Sequence, residues 1–176
     1  MRTQSRINLW IPVKVAGTVM LICLACDGLV YLLNIPTIFS LLPDIPNWVF
    51  TFVGWLHVAL GGLLFVSGLI RLGFRAAAGA PADLITDGPF RYVRSPMYGG
   101  LAYIIAGCGL AFGQISLLLA AVMWLLVARH YCMDEERMLA RLFGRTYTRY
   151  RNTTPLLIPH LGRILADFFN VRRPIL

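Results

Sequence analysis

The chain has 176 residues, of which 58% are hydrophobic and only 14% charged, and its mean hydropathy is +0.70. That composition excludes a soluble globular domain, and apolar stretches long enough to span a bilayer define an integral membrane protein. The formal charge of +8 does not indicate nucleic acid, because all sixteen Lys and Arg fall in three blocks separated by cation-free apolar segments.

Three of these cations lie in residues 1–14, four in residues 71–94 and nine from Arg129 onward, with none in 15–70 or 95–128. This is the positive-inside pattern. It predicts a cytoplasmic N-terminus, middle loop and C-terminal tail, with the loop at 35–47 and the turn near Gly113 on the other side. The fold class that follows is all-α, with about four transmembrane helices and a cytoplasmic amphipathic C-terminal helix. The organisation reads as two spans in 1–76, a part carrying the chemistry in 77–160 and an interfacial tail in 161–176.

In chain order, residues 1–10 are polar and basic, with Trp10 as an interfacial anchor. Span one is predicted from about Ile11 to Asn34. It is too long for a signal peptide and has no small-residue cleavage site, so it is expected to stay as a helix. Cys23 and Cys26 form a C-x-x-C inside it, with no second pair and no polar surroundings. They read as packing residues, not as metal or redox ligands. Span two is predicted from about Trp48 to Ile70, with Gly54, Gly61, Gly62 and Gly68 as small packing positions. Asp27 and His57 lie in the outer halves of these two spans. Ionisable groups within a membrane are costly, so the two are expected to form a structural pair on adjacent antiparallel helices.

After Arg71 the run Ala-Ala-Ala-Gly-Ala-Pro reads as a weakly structured linker. The stretch Asp87–Gly100 then packs two arginines, two tyrosines and a Ser-Pro step between apolar segments. Gly88-Pro89 predicts a turn. Ser95 is placed as an N-cap with Pro96 at the first helical position, where its missing N–H costs nothing. The free N–H groups of that helix, with Arg91 and Arg94 nearby, suit an anion at a membrane boundary. A basic loop that only anchors to lipid headgroups is the alternative. A helical hairpin, 96–112 and 115–129, turned at Gly113-Gln114, follows. Each arm is about 24 Å long and barely spans the hydrocarbon core unless the second continues past Arg129.

From Arg129 to Arg145 the spacing of Met138, Leu139 and Leu142 predicts an amphipathic helix. Glu135 shares their face by register, with Glu136 one step round. A carboxylate on an apolar face needs a partner, either a structural ion pair to Arg91 or Arg94 or the hydroxyls or ammonium of a ligand. Arg137, Arg141 and Arg145 form a separate stripe suited to phospholipid. Gly144 ends the amphipathic segment, and 161–170 forms a last interfacial piece with Phe168 and Phe169.

Taken together, Gly88-Pro-Phe-Arg-Tyr-Val-Arg-Ser-Pro-Met-Tyr98, the short hairpin, Glu135-Glu136 with Leu139, then Phe143-Gly144, Tyr147, Tyr150 and Ile158-Pro159 resemble the isoprenylcysteine carboxyl methyltransferase and phospholipid methyltransferase superfamily. The resemblance covers about residues 84–160. It implies a multi-pass membrane enzyme that uses S-adenosyl-L-methionine, bound in a cytoplasm-facing pocket. On this chain Arg91, Tyr92, Arg94, Ser95, Pro96, Tyr98 and Gly99 would take the loop and helix-start part, and Glu135 and Glu136 the acidic part. Tyr147, Tyr150, Leu157, Ile158 and His160 would close over the adenosine end, with Arg94 and Glu135 nearest the chemistry and no metal required. Many members have Arg-His-Pro where this chain has Arg94-Ser95-Pro96, which leaves the acceptor open among lipophilic or small thiols, carboxylates and amines entering from the bilayer. The compact size suggests a bacterial inner-membrane protein, with membrane lipids and a methyl acceptor as partners and no nucleic acid. Two other readings stay open: an NADPH-dependent reductase of the sterol-reductase type, and a non-enzymatic assembly or transport protein.

Overall fold

The computed structural model describes residues 10–77 and 84–159. Within them lie four principal helices and one short one: α1 (Trp10–Leu32), α2 (Ile38–Leu41), α3 (Asn47–Ala77), α4 (Pro96–Phe112) and α5 (Ile115–Thr153). A single 3₁₀ turn, Gly88–Arg91, precedes α4. Among the described residues there is no strand, and the protein is an all-α, multi-pass integral membrane protein. By length and composition, α1, α3 and α5 can each cross a membrane, while α4 is a shorter apolar helix of 17 residues.

The first arm of the hairpin and its turn have the predicted bounds. Gly113 adopts the left-handed conformation (φ 69°) that a side chain resists. Its N–H bonds Leu110 O and the Gln114 N–H bonds Gly109 O at 2.8 Å, the paired bonds of a Schellman ending. The Ile38 N–H ties α2 to this turn by donating to Gly113 O at 3.0 Å.

Two boundaries differ from the sequence reading. α3 continues through Ala77, so the first alanines of the expected linker are helical. The second hairpin arm does not stop at Arg129 but continues as helix to a break at Gly144 and then to Thr153. Up to that break it is about 44 Å long at 1.5 Å per residue, longer than a hydrocarbon core. Residues 115–128 are its cation-free, apolar part, and the charged residues from Arg129 on project past them. The backbone of Gly144 breaks this projection at φ 51°, ψ −122°, values open to glycine but strained for other residues.

Packing follows the small residues. α3 lies closest to α4, and the contact is nearly backbone to backbone. A methyl placed on Gly61 would sit 2.5 Å from Gly100 O, and one on Gly107 2.6 Å from Gly54 O. These glycines recur at seven-residue spacing on both helices, so one stripe meets the other. The buried core lies between α4 and α5 around Trp124, with Ala102, Ile105, Ala120, Ala121 and Ala128, and Cys26 of α1 joins it.

α1 therefore packs on α5, not on α3. The expected pair of Asp27 with His57 does not form. His57 faces α4, donating from Nδ1 to Val53 O at 2.8 Å and stacking on Tyr103 at 5.9 Å. The glycine stripe draws α3 onto α4 and leaves Asp27 on the far side of the bundle. Residues 1–9, 78–83 and 160–176, which include His160, Phe168 and Phe169, lie outside the described residues.

Candidate functional site

At the arginine-bearing end of the bundle, four pieces of chain converge. They are the 3₁₀ turn with Tyr92–Arg94, the first turn of α4, the projecting half of α5 and a strap of residues 154–158.

The strap is held by backbone bonds. The Arg94 N–H donates to Pro155 O at 2.9 Å and the Ser95 N–H to Leu156 O at 3.0 Å. Leu157 O then lies against Gly99, where any side chain would collide with it. This corrects the expected anion site. Carbonyl oxygens of the strap, not an open array of N–H groups, cover part of the α4 start, and their partial negative charge opposes an anion there. Ser95 occupies the N-cap position but makes no side-chain cap. Its hydroxyl instead accepts from the buried Cys132 thiol at 3.3 Å, across to α5. Pro96 is fully buried beneath the strap, and Gly68 of α3 sits against its ring. The Trp124 indole donates to Tyr98 O at 3.0 Å and fixes the two arms of the hairpin at this level.

The carboxylates exchange their expected roles. Glu136, not Glu135, points inward. It pairs closely with Arg94, both side chains being only 12% exposed, and its other oxygen lies 3.5 Å from Arg151 Nε. Met138 and Leu142 are 55% and 66% exposed. The apolar face of this helix thus looks outward, as lipid-facing surfaces do, and the inward face is set by Cys132, Glu136 and Tyr147. Glu135 keeps an exposed surface. Even so, the protein packed around its carboxyl, and then the charge of Glu136, raise its pKa above the ordinary carboxylate value.

Aromatic residues complete the end wall. Tyr147 is buried, on the side of the helix that also carries Cys132 and Glu136. Tyr150 donates to Phe90 O at 2.7 Å and packs edge-on to Tyr147. The Gly144 bend makes the bond to Phe90 possible, because a straight helix would carry these tyrosines away from the loop. The loop is pinned on its other side by Arg71, which bonds Asp87 at 2.9 Å.

Arg94, Ser95, Pro96, Tyr98, Gly99, Glu135, Glu136, Tyr147, Tyr150 and Leu157 thus gather at one end, with Tyr92 half-buried beside them. Arg91 is exposed on the rim, and so is Ile158. Arg151, Cys132 and Trp124 are structural partners that sequence reasoning missed. Arg151 follows Glu136 by fifteen residues, and no helical spacing links them; only the turn-back at Gly144 does. Among the described residues no group of His, Cys, Asp and Glu could hold a metal ion.

The fold and this end site define a multi-pass helical membrane protein with a cluster of arginine, glutamate and tyrosine side chains at one end of its bundle. Residues 49–146, more than half the chain, match the phospholipid methyltransferase family, and the chain belongs to that family. A stretch of 78 residues is 35% identical to the protein-S-isoprenylcysteine O-methyltransferase of Schizosaccharomyces pombe, covering 43% of this chain and 33% of that relative. The match therefore spans about a third of the relative's length. No solved structure matches the chain.

Proposed function

We propose that the protein is an S-adenosyl-L-methionine-dependent membrane methyltransferase, acting on a lipophilic or small thiol, carboxylate or amine that enters from the bilayer. The observation that carries this is the convergence of loop, α4 start, Glu135–Glu136 helix and strap into one concave end site, within and beside the segment that matches the family.

The residues fit the donor. S-Adenosyl-L-methionine would supply a methyl group already activated on a positively charged sulfur. Toward such a cationic ligand, Glu135 offers a carboxylate that faces outward from the helix, and Tyr92 and Tyr98 offer aromatic faces. The ligand's own carboxylate would be met by Arg91 at the rim, since the α4 start is lined with carbonyls. Arg94, held by Glu136, acts as a positioning residue that fixes the loop against α5. Tyr147, Tyr150, Leu157 and Ile158 form the wall, with His160 following in sequence. Methyl transfer to a thiolate or carboxylate needs alignment more than acid–base help. For an amine acceptor, Glu135, whose pKa is raised by burial and by the charge of Glu136, would be the group to take the proton. In this reading residues 77–160 form the catalytic part, and the arginine-bearing end faces the cytoplasm of a bacterial inner membrane.

Calorimetric titration of the detergent-purified chain tests the proposal. Saturable binding of S-adenosyl-L-methionine and S-adenosylhomocysteine, removed by Glu135→Ala, is the expected result. Binding of NADPH alone, or of none of the three by folded protein, overturns it.

A further inference from the structure

Within the membrane-spanning part, His57 of α3 and Tyr103 of α4 stand side by side, with ring centroids 5.9 Å apart and planes inclined by 28°. We propose that the two form a binding site for a hydroxyl group carried on the chain of a lipid.

Their depth places them in hydrocarbon. His57 lies ten residues after the start of α3 and fourteen before Arg71, the first cation that follows it. These separations are about 15 Å and about 21 Å of helix. Tyr103 lies seven residues after Pro96 and nine before Phe112, in the middle of the apolar α4. Close backbone contacts fix the register on either side, Gly61 against Gly100 and Gly54 against Gly107. At this level no bulk water completes a hydrogen bond, and an unmet polar group is costly.

Each side chain leaves one polar atom unmet. A carbonyl only accepts, so the bond from Nδ1 to Val53 O puts the imidazole proton on Nδ1. In the neutral ring Nε2 is then a bare acceptor, and a charged ring at this depth would cost more. The two rings stack and do not bond each other. Among the described residues no hydrogen bond meets Nε2 or the Tyr103 hydroxyl. Neither atom is enclosed by protein, since the buried polar atoms without a partner belong to Arg94 and Glu136. Both are open to the bilayer.

An acceptor beside a donor is the complement of one hydroxyl group. Its O–H donates to His57 Nε2, and its oxygen accepts from the Tyr103 O–H. A plain methylene chain offers neither bond, and a carboxylate or ammonium would bring a full charge to this depth. Headgroups stay at the membrane surface, so the hydroxyl belongs to the lipid's chain. Tyr103 follows Gly99 by four residues on one face of α4, and Leu157 O of the strap lies against Gly99. A lipid with its headgroup at the arginine-bearing end thus passes the pair about 10 Å below the start of α4. The site stands whether or not the end site transfers a methyl group, because the two share no residue.

Native mass spectrometry of the full chain in detergent tests it. Octadecanoic acid is competed separately against its derivatives hydroxylated on the second and on the tenth carbon. The second carbon stays at headgroup level, and the tenth reaches the level of the pair. The wild type should retain the acid hydroxylated on the tenth carbon about tenfold over the plain acid, the scale of a hydrogen bond to an otherwise unmet group. It should show no such preference for the other derivative. Tyr103→Phe, which removes one oxygen and keeps the ring stack, should lose the preference, as should His57→Phe, while Asp27→Asn keeps it. Equal retention of hydroxylated and plain acids overturns the proposal. So does an equal preference for both hydroxyl positions, or a preference that survives in folded Tyr103→Phe. If His57→Phe does not fold, Tyr103→Phe alone decides.

Discussion

Glu135 and Glu136 are neighbours in sequence with opposite surroundings, and they should fail in different ways when removed. Glu136 neutralises Arg94 in a largely enclosed pair. Glu136→Ala leaves that guanidinium without its partner, and we expect a loss of about 3 kcal/mol in stability, the scale for breaking a buried pair, together with loss of donor binding. Glu135→Ala should abolish donor binding with little change in Tm. Unchanged affinity in both variants would refute the acidic role altogether. A pH profile gives a second reading of the same residue. The carboxyl of Glu135 has a raised pKa, so on acidification it takes up its proton earlier than an ordinary carboxylate. Affinity for a cationic ligand should therefore fall on acidification, beginning at a higher pH than an ordinary Glu would give. Glu135→Gln should bind weakly and without that slope. The sequence brought both residues into the site but assigned the inward position to the wrong one. The assignment followed the apolar residues Met138 and Leu142, which in water would mark the core. Here the same residues are exposed, and the ion pair of Glu136 marks the interior.

Among the elements, α3 and α4 show how little side chain a membrane contact needs. A leucine at Gly61 has no space, because the Gly100 carbonyl already lies where its Cβ would go. Gly61→Leu should cost at least about 1–3 kcal/mol by overpacking, read as a lowered Tm in detergent. Gly62 is next in sequence and faces open space. Gly62→Ala should leave Tm unchanged or raise it slightly by improving helix propensity. Equal effects at both positions would mean that the stripe does not hold the helices together. The sequence disclosed the glycines and the bounds of α4, since Ser-Pro at one end and Gly at the other punctuate the chain locally. It did not disclose that α1 would lean on α5. Pairing in a bundle depends on which stripe fits which, and the α1 sequence carries no comparable stripe. The Gly144 bend was legible only as a stop. That the chain doubles back there, carrying Arg151 to Glu136, depends on tertiary contacts that no local pattern encodes.

For the molecule as a whole, charge is segregated along the bundle axis. The end site gathers arginines and carboxylates, while the opposite end presents Asp27 and Asp44 without any cation in the adjoining segments. The positive-inside rule then predicts that cysteines introduced at Arg91 and Asp44 will be labelled from opposite faces of the membrane, the first from the cytoplasm. Labelling of both from one side in intact cells would contradict a membrane crossing by α3, which separates the two positions. The fold class was legible from composition and cation spacing because the bilayer permits few solutions. Identity of the acceptor was not, since no motif quoted from the sequence is specific to one acceptor.

The strap has a consequence for biosynthesis. Residues 94 and 95 leave the ribosome about sixty residues before Pro155 and Leu156, whose carbonyls receive their N–H groups. While the hairpin is being inserted, the end site has three of its four sides and no closure. The end site thus closes only after α1, α3, α4 and α5 have been made. A chain arrested before the strap emerges should insert normally and yet hold no donor.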